Sequence, residues 1–68
     1  MMITVTVNGE ERQLEAGVTV AGLLGALGLH PRLVVVEHNR EILDAGDLED
    51  TEIQAGDNVE LVHFVGGG

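Results

Sequence analysis

The chain has 68 residues, a net charge of −9 and no cysteine. A chain of this length forms one small domain and buries only about 60% of the surface that its unfolded form exposes, which leaves little room for an enclosed catalytic pocket. Cysteine, serine, lysine, tyrosine and tryptophan are all absent, so most covalent nucleophiles are missing, and three arginines are too few for a phosphate-binding patch. The composition therefore argues against an enzyme and against a nucleic-acid-binding protein.

The hydropathy and the charge of the chain bear on its location and partners. The hydrophobic fraction of 44% is normal for a folded protein, and no apolar run approaches the ~20 residues of a transmembrane helix. The N-terminus lacks the basic segment and apolar stretch of a signal peptide. We therefore expect a cytoplasmic protein that does not bind membranes. Its acidic charge either keeps a small protein soluble or speeds docking onto a basic partner.

The first predicted element is a β-hairpin. Residues 3–7 alternate apolar and polar side chains, which predicts a half-buried strand. Asn8 and Gly9 follow directly, and this pair favours a type I′ turn because both central residues of that turn need positive φ. Residues 10–15 are predicted to form the returning strand.

A helix is predicted next, with Thr19 as its N-cap and Gly28 as the left-handed residue beyond its last turn. Gly22 and Gly25 lie inside this helix and weaken it, and we expect them to let the helix approach a sheet closely. The glycines fit neither the dinucleotide-binding nor the P-loop pattern. One face of the helix carries four apolar residues, Val20, Leu23, Leu24 and Leu27.

The second half of the chain is predicted to supply three more strands. Residues 33–37 form a β-branched strand, residues 41–43 a short strand after a turn, and residues 58–65 the last strand. The simplest arrangement of these elements is one helix on one face of a mixed sheet. The first and last strands would lie side by side in the middle, and residues 66–68 would project past the sheet.

Two sets of residues invite comparison with metal sites. His30, His38 and His63 are isolated along the chain, and such histidines are usually structural or solvated. The acidic residues between positions 44 and 52 lack the ligand spacing of an EF-hand. We therefore expect no bound metal or other cofactor, and an irregular acidic loop with one helical turn near Leu48.

The order of the elements and the glycine ending resemble the β-grasp, ubiquitin-like fold, an α+β architecture in which four to five strands pack on one helix. Over nearly its whole length the sequence is similar to the ThiS family of sulfur carriers. A length near 66 together with the ending Phe-Val-Gly-Gly-Gly is specific in combination. Residues 43–48 depart from the family, which often has a Pro-Arg pair and an aromatic residue there, and this departure bears on partner preference. The similarity lies at residues 7–10, 19–24, 34–39 and 55–68.

The resemblance implies a β-grasp domain at residues 1–65 and a flexible tail at residues 66–68. In this family an ATP-dependent, E1-like adenylyltransferase of the ThiF type adenylates the C-terminal carboxylate, here that of Gly68. A sulfur-delivery enzyme then replaces the adenylate to give a thiocarboxylate, and a thiazole synthase of the ThiG type receives the sulfur. Gly66 and Gly67 would enter the partner's active site with Gly68, because glycine has no Cβ and adopts any backbone conformation that a channel imposes.

A docking surface is predicted from the alternation of side chains along strands. If Val59 and Leu61 face the helix, then Val62 and Phe64 face outward, and Val35 lies on the same outer face between two inward-facing valines. We expect Val35, Val62 and Phe64 to form an apolar patch near the root of the tail that docks on partners. The alternative is scattered apolar residues, which are common on small proteins.

Three other functions remain open at this point. The chain could carry sulfur for molybdopterin synthesis or for tRNA thiolation, which is the same chemistry with another acceptor. It could be a ubiquitin-like modifier that is joined through its C-terminus to lysines of other proteins. It could also be an interaction module whose tail is chemically inert.

Overall fold

The computed structural model describes residues 1–63 as five strands, one α-helix and two short 3₁₀ helices. Residues 64–68 fall outside the described part, and with them the end of the predicted last strand and the glycine tail. The 3₁₀ helices span Pro31–Leu33 and Ala45–Asp47. The strands and helix are β1 (Met2–Val7), β2 (Glu10–Glu15), α1 (Val20–Ala26), β3 (Val34–His38), β4 (Glu41–Leu43) and β5 (Asn58–His63).

The five strands form one mixed sheet in the order β2-β1-β5-β3-β4. The central strands β1 and β5 are parallel, and their register pairs Thr6 with Asn58 and Val7 with Val59. All other neighbouring strands are antiparallel. The predicted β-grasp arrangement is therefore confirmed. Because β1 pairs only with the first two residues of β5, the rest of β5 continues past the end of β1.

The hairpin turn between β1 and β2 has the predicted conformation. Asn8 has a φ of 50° and Gly9 a φ of 80°, as a type I′ turn requires. The Asn8 side chain makes a further contact that the sequence did not predict, because its Oδ1 accepts a hydrogen bond from the Leu61 N–H at 2.6 Å. The backbone N–H of Asn8 donates a hydrogen bond to the Val59 carbonyl at 2.9 Å. Asn8 therefore both shapes the hairpin and holds β5 where that strand leaves β1.

The helix α1 begins and ends as predicted. The Thr19 side chain accepts a hydrogen bond from the Gly22 N–H at 3.1 Å, and Gly28 has a φ of 71° just beyond the last turn. The predicted close approach of Gly22 and Gly25 to the sheet is wrong, because both residues are exposed. A Cβ at Gly25 would meet nothing within 4 Å, and one at Gly22 would meet only the side chains of Val18 and of the N-cap Thr19.

The hydrophobic core lies between α1 and the inner face of the sheet. Val34 and Val36 are buried there, which confirms the predicted inward direction of both side chains. Two core residues, Leu48 and Ile53, come from the irregular segment between β4 and β5. The Leu48 carbonyl accepts from the Ala21 N–H at 2.9 Å, so this segment is fastened to the helix. The buried apolar residues are Val5, Val7, Val20, Leu23, Leu24, Val34, Val36, Leu48, Ile53 and Val59.

The substitution Asn8→Ala tests the double role of this residue. We expect it to lower the free energy of unfolding by roughly 1–3 kcal/mol, because alanine resists positive φ and offers no acceptor to the Leu61 N–H. Asn8→Asp keeps both the tolerance of positive φ and the side-chain acceptor, whereas Asn8→Gly keeps only the tolerance of positive φ. Urea unfolding should therefore rank the Asp variant nearest the wild type, then Gly, then Ala. Equal stability of the Gly and Asp variants would show that the bond to Leu61 contributes nothing.

Candidate functional site

The predicted site consists of the tail and of the docking patch at its root. Phe64, Gly66, Gly67 and Gly68 lie outside the described residues, so their roles stay predictions. The structure does show what leads to them. Strand β5 occupies the middle of the sheet and runs to His63, so the strand that precedes the tail is supported on one side by β3 from Val59 to His63.

Two of the three predicted docking residues lie together. Val35 and Val62 are direct partners across the β3–β5 ladder. Val62 is 60% exposed, and Val35 is half-buried. Their neighbours Val34, Val36 and Leu61 point to the helix side, so Val35 and Val62 share the outer face of the sheet.

Ile42 is an exposed apolar residue of the same face that the sequence reasoning missed. It is 70% exposed and lies opposite Glu37, which in turn lies opposite Glu60. The apolar pair Val35 and Val62 is therefore bordered by two carboxylates, with Ile42 beyond them on the edge strand. We call Val35, Val62 and Ile42 the outer patch. An apolar centre with an acidic border suits a partner surface with a basic rim.

The other end of β5 is held by a polar cluster around Asp57. The His38 Nε2–H donates to Asp57 Oδ2 at 2.6 Å, and the Asn39 side-chain amide donates to Asp57 Oδ1 at 3.1 Å. The Gln54 N–H also donates to Asp57 Oδ2, at 2.8 Å. Asn39 Oδ1 in turn accepts from the Asn58 N–H at 2.9 Å. The cluster ties the turn after β3 to the start of β5.

The charge state of Asp57 follows from these contacts. Burial raises the pKa of this carboxyl group, because a buried charge loses its hydration. The hydrogen bonds from the Gln54 N–H, His38 and Asn39 and the charge of His38 act in the opposite direction and outweigh it. The pKa of Asp57 therefore lies below its ordinary value of 3.8. Asp57 holds the start of β5 as a carboxylate, with a side chain only 12% exposed.

Residues 1–63 contain neither a metal-binding cluster nor a membrane-spanning helix. No group of three or more histidine, aspartate and glutamate side chains in this part of the chain is arranged to hold a metal ion. None of the helices within residues 1–63 is long and apolar enough to cross a membrane.

Comparison with known proteins identifies the family. The sequence model of the ThiS family matches residues 5–68. The chain belongs to the ThiS family. It is 40% identical to the sulfur carrier protein ThiS of Bacillus subtilis over 50 residues, which are 74% of this chain and 76% of that protein. The crystal structure of the thiamine biosynthesis protein (ThiS) from Geobacter metallireducens superposes with a TM-score of 0.83 at 35% identity, covering 97% of this chain and 100% of that chain.

The chain is also similar to one segment of much longer proteins. A thiazole synthase of Paramagnetospirillum magneticum is 45% identical over 62 residues, and one of Magnetococcus marinus is 44% identical over 61 residues. These matches cover 91% and 90% of this chain but only 19% of each relative. The chain therefore spans about a fifth of the length of these two relatives.

The Asp57 cluster predicts how stability depends on pH. The pKa of Asp57 is lower in the folded state than in the unfolded state. Ionised Asp57 therefore contributes to the stability of the fold at a pH above its unfolded pKa. This contribution is lost as the pH falls through the folded pKa, which lies below 3.8. We expect Asp57→Asn to be less stable at neutral pH and to lose less stability on acidification than the wild type. The control is Asp50→Asn, which removes the same charge from an exposed loop residue. Parallel pH profiles of urea unfolding for the wild type and Asp57→Asn would contradict the prediction.

Proposed function

We propose that the chain is a sulfur carrier protein of thiamine biosynthesis, whose C-terminal Gly68 carboxylate carries sulfur as a thiocarboxylate to a thiazole synthase. The observation that carries the proposal is the ThiS family match, which extends through Gly68. The relative from Bacillus subtilis is itself named a sulfur carrier protein. The described structure supports the role because the central strand β5 ends at His63, five residues before Gly68 in the sequence.

The relatives named thiazole synthase support the proposed acceptor. Each of these two proteins is named thiazole synthase and contains, within one polypeptide, a segment that is similar to this chain. Joining two proteins in one chain raises their effective concentration for each other, which is useful when they must meet repeatedly. Of the acceptors left open by the sequence, the acceptor in thiamine synthesis is the one that these names favour.

The chemistry explains why a carrier of this kind needs partners. A carboxylate is a poor acceptor for nucleophiles because it is negatively charged and has no good leaving group. We propose that an activating enzyme of the ThiF type uses ATP to convert the Gly68 carboxylate into an acyl adenylate. A desulfurase route supplies sulfur as a persulfide, and a thiol reduces it to sulfide and is itself oxidised to a disulfide. The sulfide attacks the carbonyl carbon, AMP leaves, and a thiocarboxylate remains. The carrier supplies one carbonyl carbon and no catalytic side chain.

The tail sequence fits delivery into two different active sites. Three extended residues reach about 10 Å, enough to pass the rim of a docking surface. Residues 66–68 are all glycine, so no Cβ obstructs a narrow channel and no backbone conformation is strained. The outer patch and the acidic charge of the chain would hold the domain on the partner while the tail is inside.

Removal of Gly68 should abolish activation and leave the fold intact. We expect the full chain to gain about 16 Da, sulfur in place of oxygen, when it is incubated with ATP, a ThiF-type enzyme and a sulfur source. A chain ending at Gly67, and a Gly67→Leu variant that would obstruct the channel, should show no gain by mass spectrometry and unchanged urea unfolding. Normal activation of the shortened chain would contradict the assignment of Gly68. Covalent adducts with other proteins would instead indicate a ubiquitin-like modifier.

Docking through the outer face predicts that Phe64→Ala and Val62→Ala weaken binding more than they weaken the fold. We expect each to raise the dissociation constant for the activating enzyme or the thiazole synthase more than about fivefold, because truncation of a central apolar contact typically costs 1 kcal/mol or more. Met2→Ala is the matched control. Met2 is also an exposed apolar residue of the outer face, but it lies at the opposite end of the sheet. Unfolding of Phe64→Ala, or normal binding of both variants, would contradict the assignment of this face.

A further inference from the structure

A groove of about 330 Å³, with polar and apolar parts to its lining, opens on the helix side of the sheet, beside the end of β5. Leu61 lines the groove, whereas its neighbour Val62 belongs to the outer patch, so the two surfaces lie on opposite faces of one strand. Part of the lining is aliphatic, and Asn8, Glu10 and Arg12 provide polar groups from the hairpin. The remaining lining residues are Val7, Leu27 and Leu29.

Within residues 1–63, part of the β5 backbone is unpaired on the side that borders this groove. The Val59 carbonyl and the Leu61 N–H both bond to Asn8, so the odd-numbered residues of β5 direct their backbone groups toward β1. By the same alternation, the Leu61 carbonyl and the His63 N–H also point to the side of β5 on which β1 lies. The β1–β5 ladder ends at Val59, and within residues 1–63 neither of these two groups has a hydrogen-bond partner.

An open strand edge beside a partly apolar pocket is the arrangement that binds an extended peptide as an additional strand. Backbone hydrogen bonds then provide affinity, and every second side chain of the added strand enters the pocket. On the basis of the function proposed above, we propose that the thiazole synthase adds such a segment to β5, in line with β1, and places an aliphatic side chain in the groove lined by Leu27, Leu29 and Leu61.

The position of the groove and the charge of the chain favour this occupant. A strand continuing the line of β1 starts where the Asn8 side chain ends the existing ladder, and it runs alongside β5 toward the tail. The glycines of residues 66–68 lose more backbone entropy on ordering than other residues, so a partner must hold them largely through backbone hydrogen bonds. A ladder that begins at Leu61 and His63 provides the first of these bonds. The groove itself carries one charge of each sign, Glu10 and Arg12, whereas the net charge of −9 favours a basic partner surface around it.

Comparison of His63→Pro with His63→Ala tests the proposed backbone contact. Proline removes the N–H of residue 63, and no bond to β3 is lost because that N–H points away from β3. Both variants lack the imidazole, so they differ chiefly in the donor. We expect His63→Pro to bind the thiazole synthase roughly three- to tenfold more weakly than His63→Ala, the range for one net hydrogen bond, with similar urea unfolding of the two. Equal affinities would overturn the proposal.

A second measurement tests the groove without altering the chain. In spectra of methyl-labelled chain titrated with thiazole synthase, the methyl groups of Leu27, Leu29 and Leu61 should shift, and those of the buried Leu24 should not. Shifts confined to Val35 and Val62 would overturn the proposal even if the wild-type chain still gains sulfur and delivers it. A chain that never gains sulfur would contradict the proposed function instead, whereas the binding results would still decide whether the groove is a docking site.

Discussion

The parallel pairing of β1 with β5 is the constraint on which the rest of the structure depends. Two parallel neighbours cannot be joined by a tight turn, so the chain between them must cross over. This crossover contains α1, which covers the inner face and completes the core. The pairing is only two residues long, and for that reason the last strand passes beyond its neighbour.

Much of the fold could be predicted because local signals agreed with the final arrangement. The alternation in β1, the Asn8–Gly9 pair and the caps of α1 each specify a conformation within a few residues. Leu48 and Ile53 could not be placed in the core because their segment has no regular period. The glycines of α1 were misjudged although the signal was available. The apolar stripe of the helix puts them on the opposite side, which faces solvent.

The site was predictable to a different extent. Its proposed chemistry belongs to the end of the main chain, where no side-chain motif exists, so composition could only argue against other mechanisms and the family resemblance had to supply the proposed function. The direction of Val62 followed from strand alternation and is confirmed. The contacts of Asn8 with Leu61 and of His38 with Asp57 join residues 53 and 19 positions apart. Such side-chain contacts depend on strand register, which a single sequence does not specify.

The direction of the two central strands also determines where the domain can be tethered. Because β1 and β5 run the same way, the chain enters at one end of the sheet and leaves at the other, and Met2 and His63 are separated by on the order of 30 Å along the strands. A label, a surface linker or a further domain joined ahead of Met1 therefore sits far from the outer patch and the groove. The same addition after Gly68 would turn the terminal carboxylate into an amide and remove the group on which the proposed function depends.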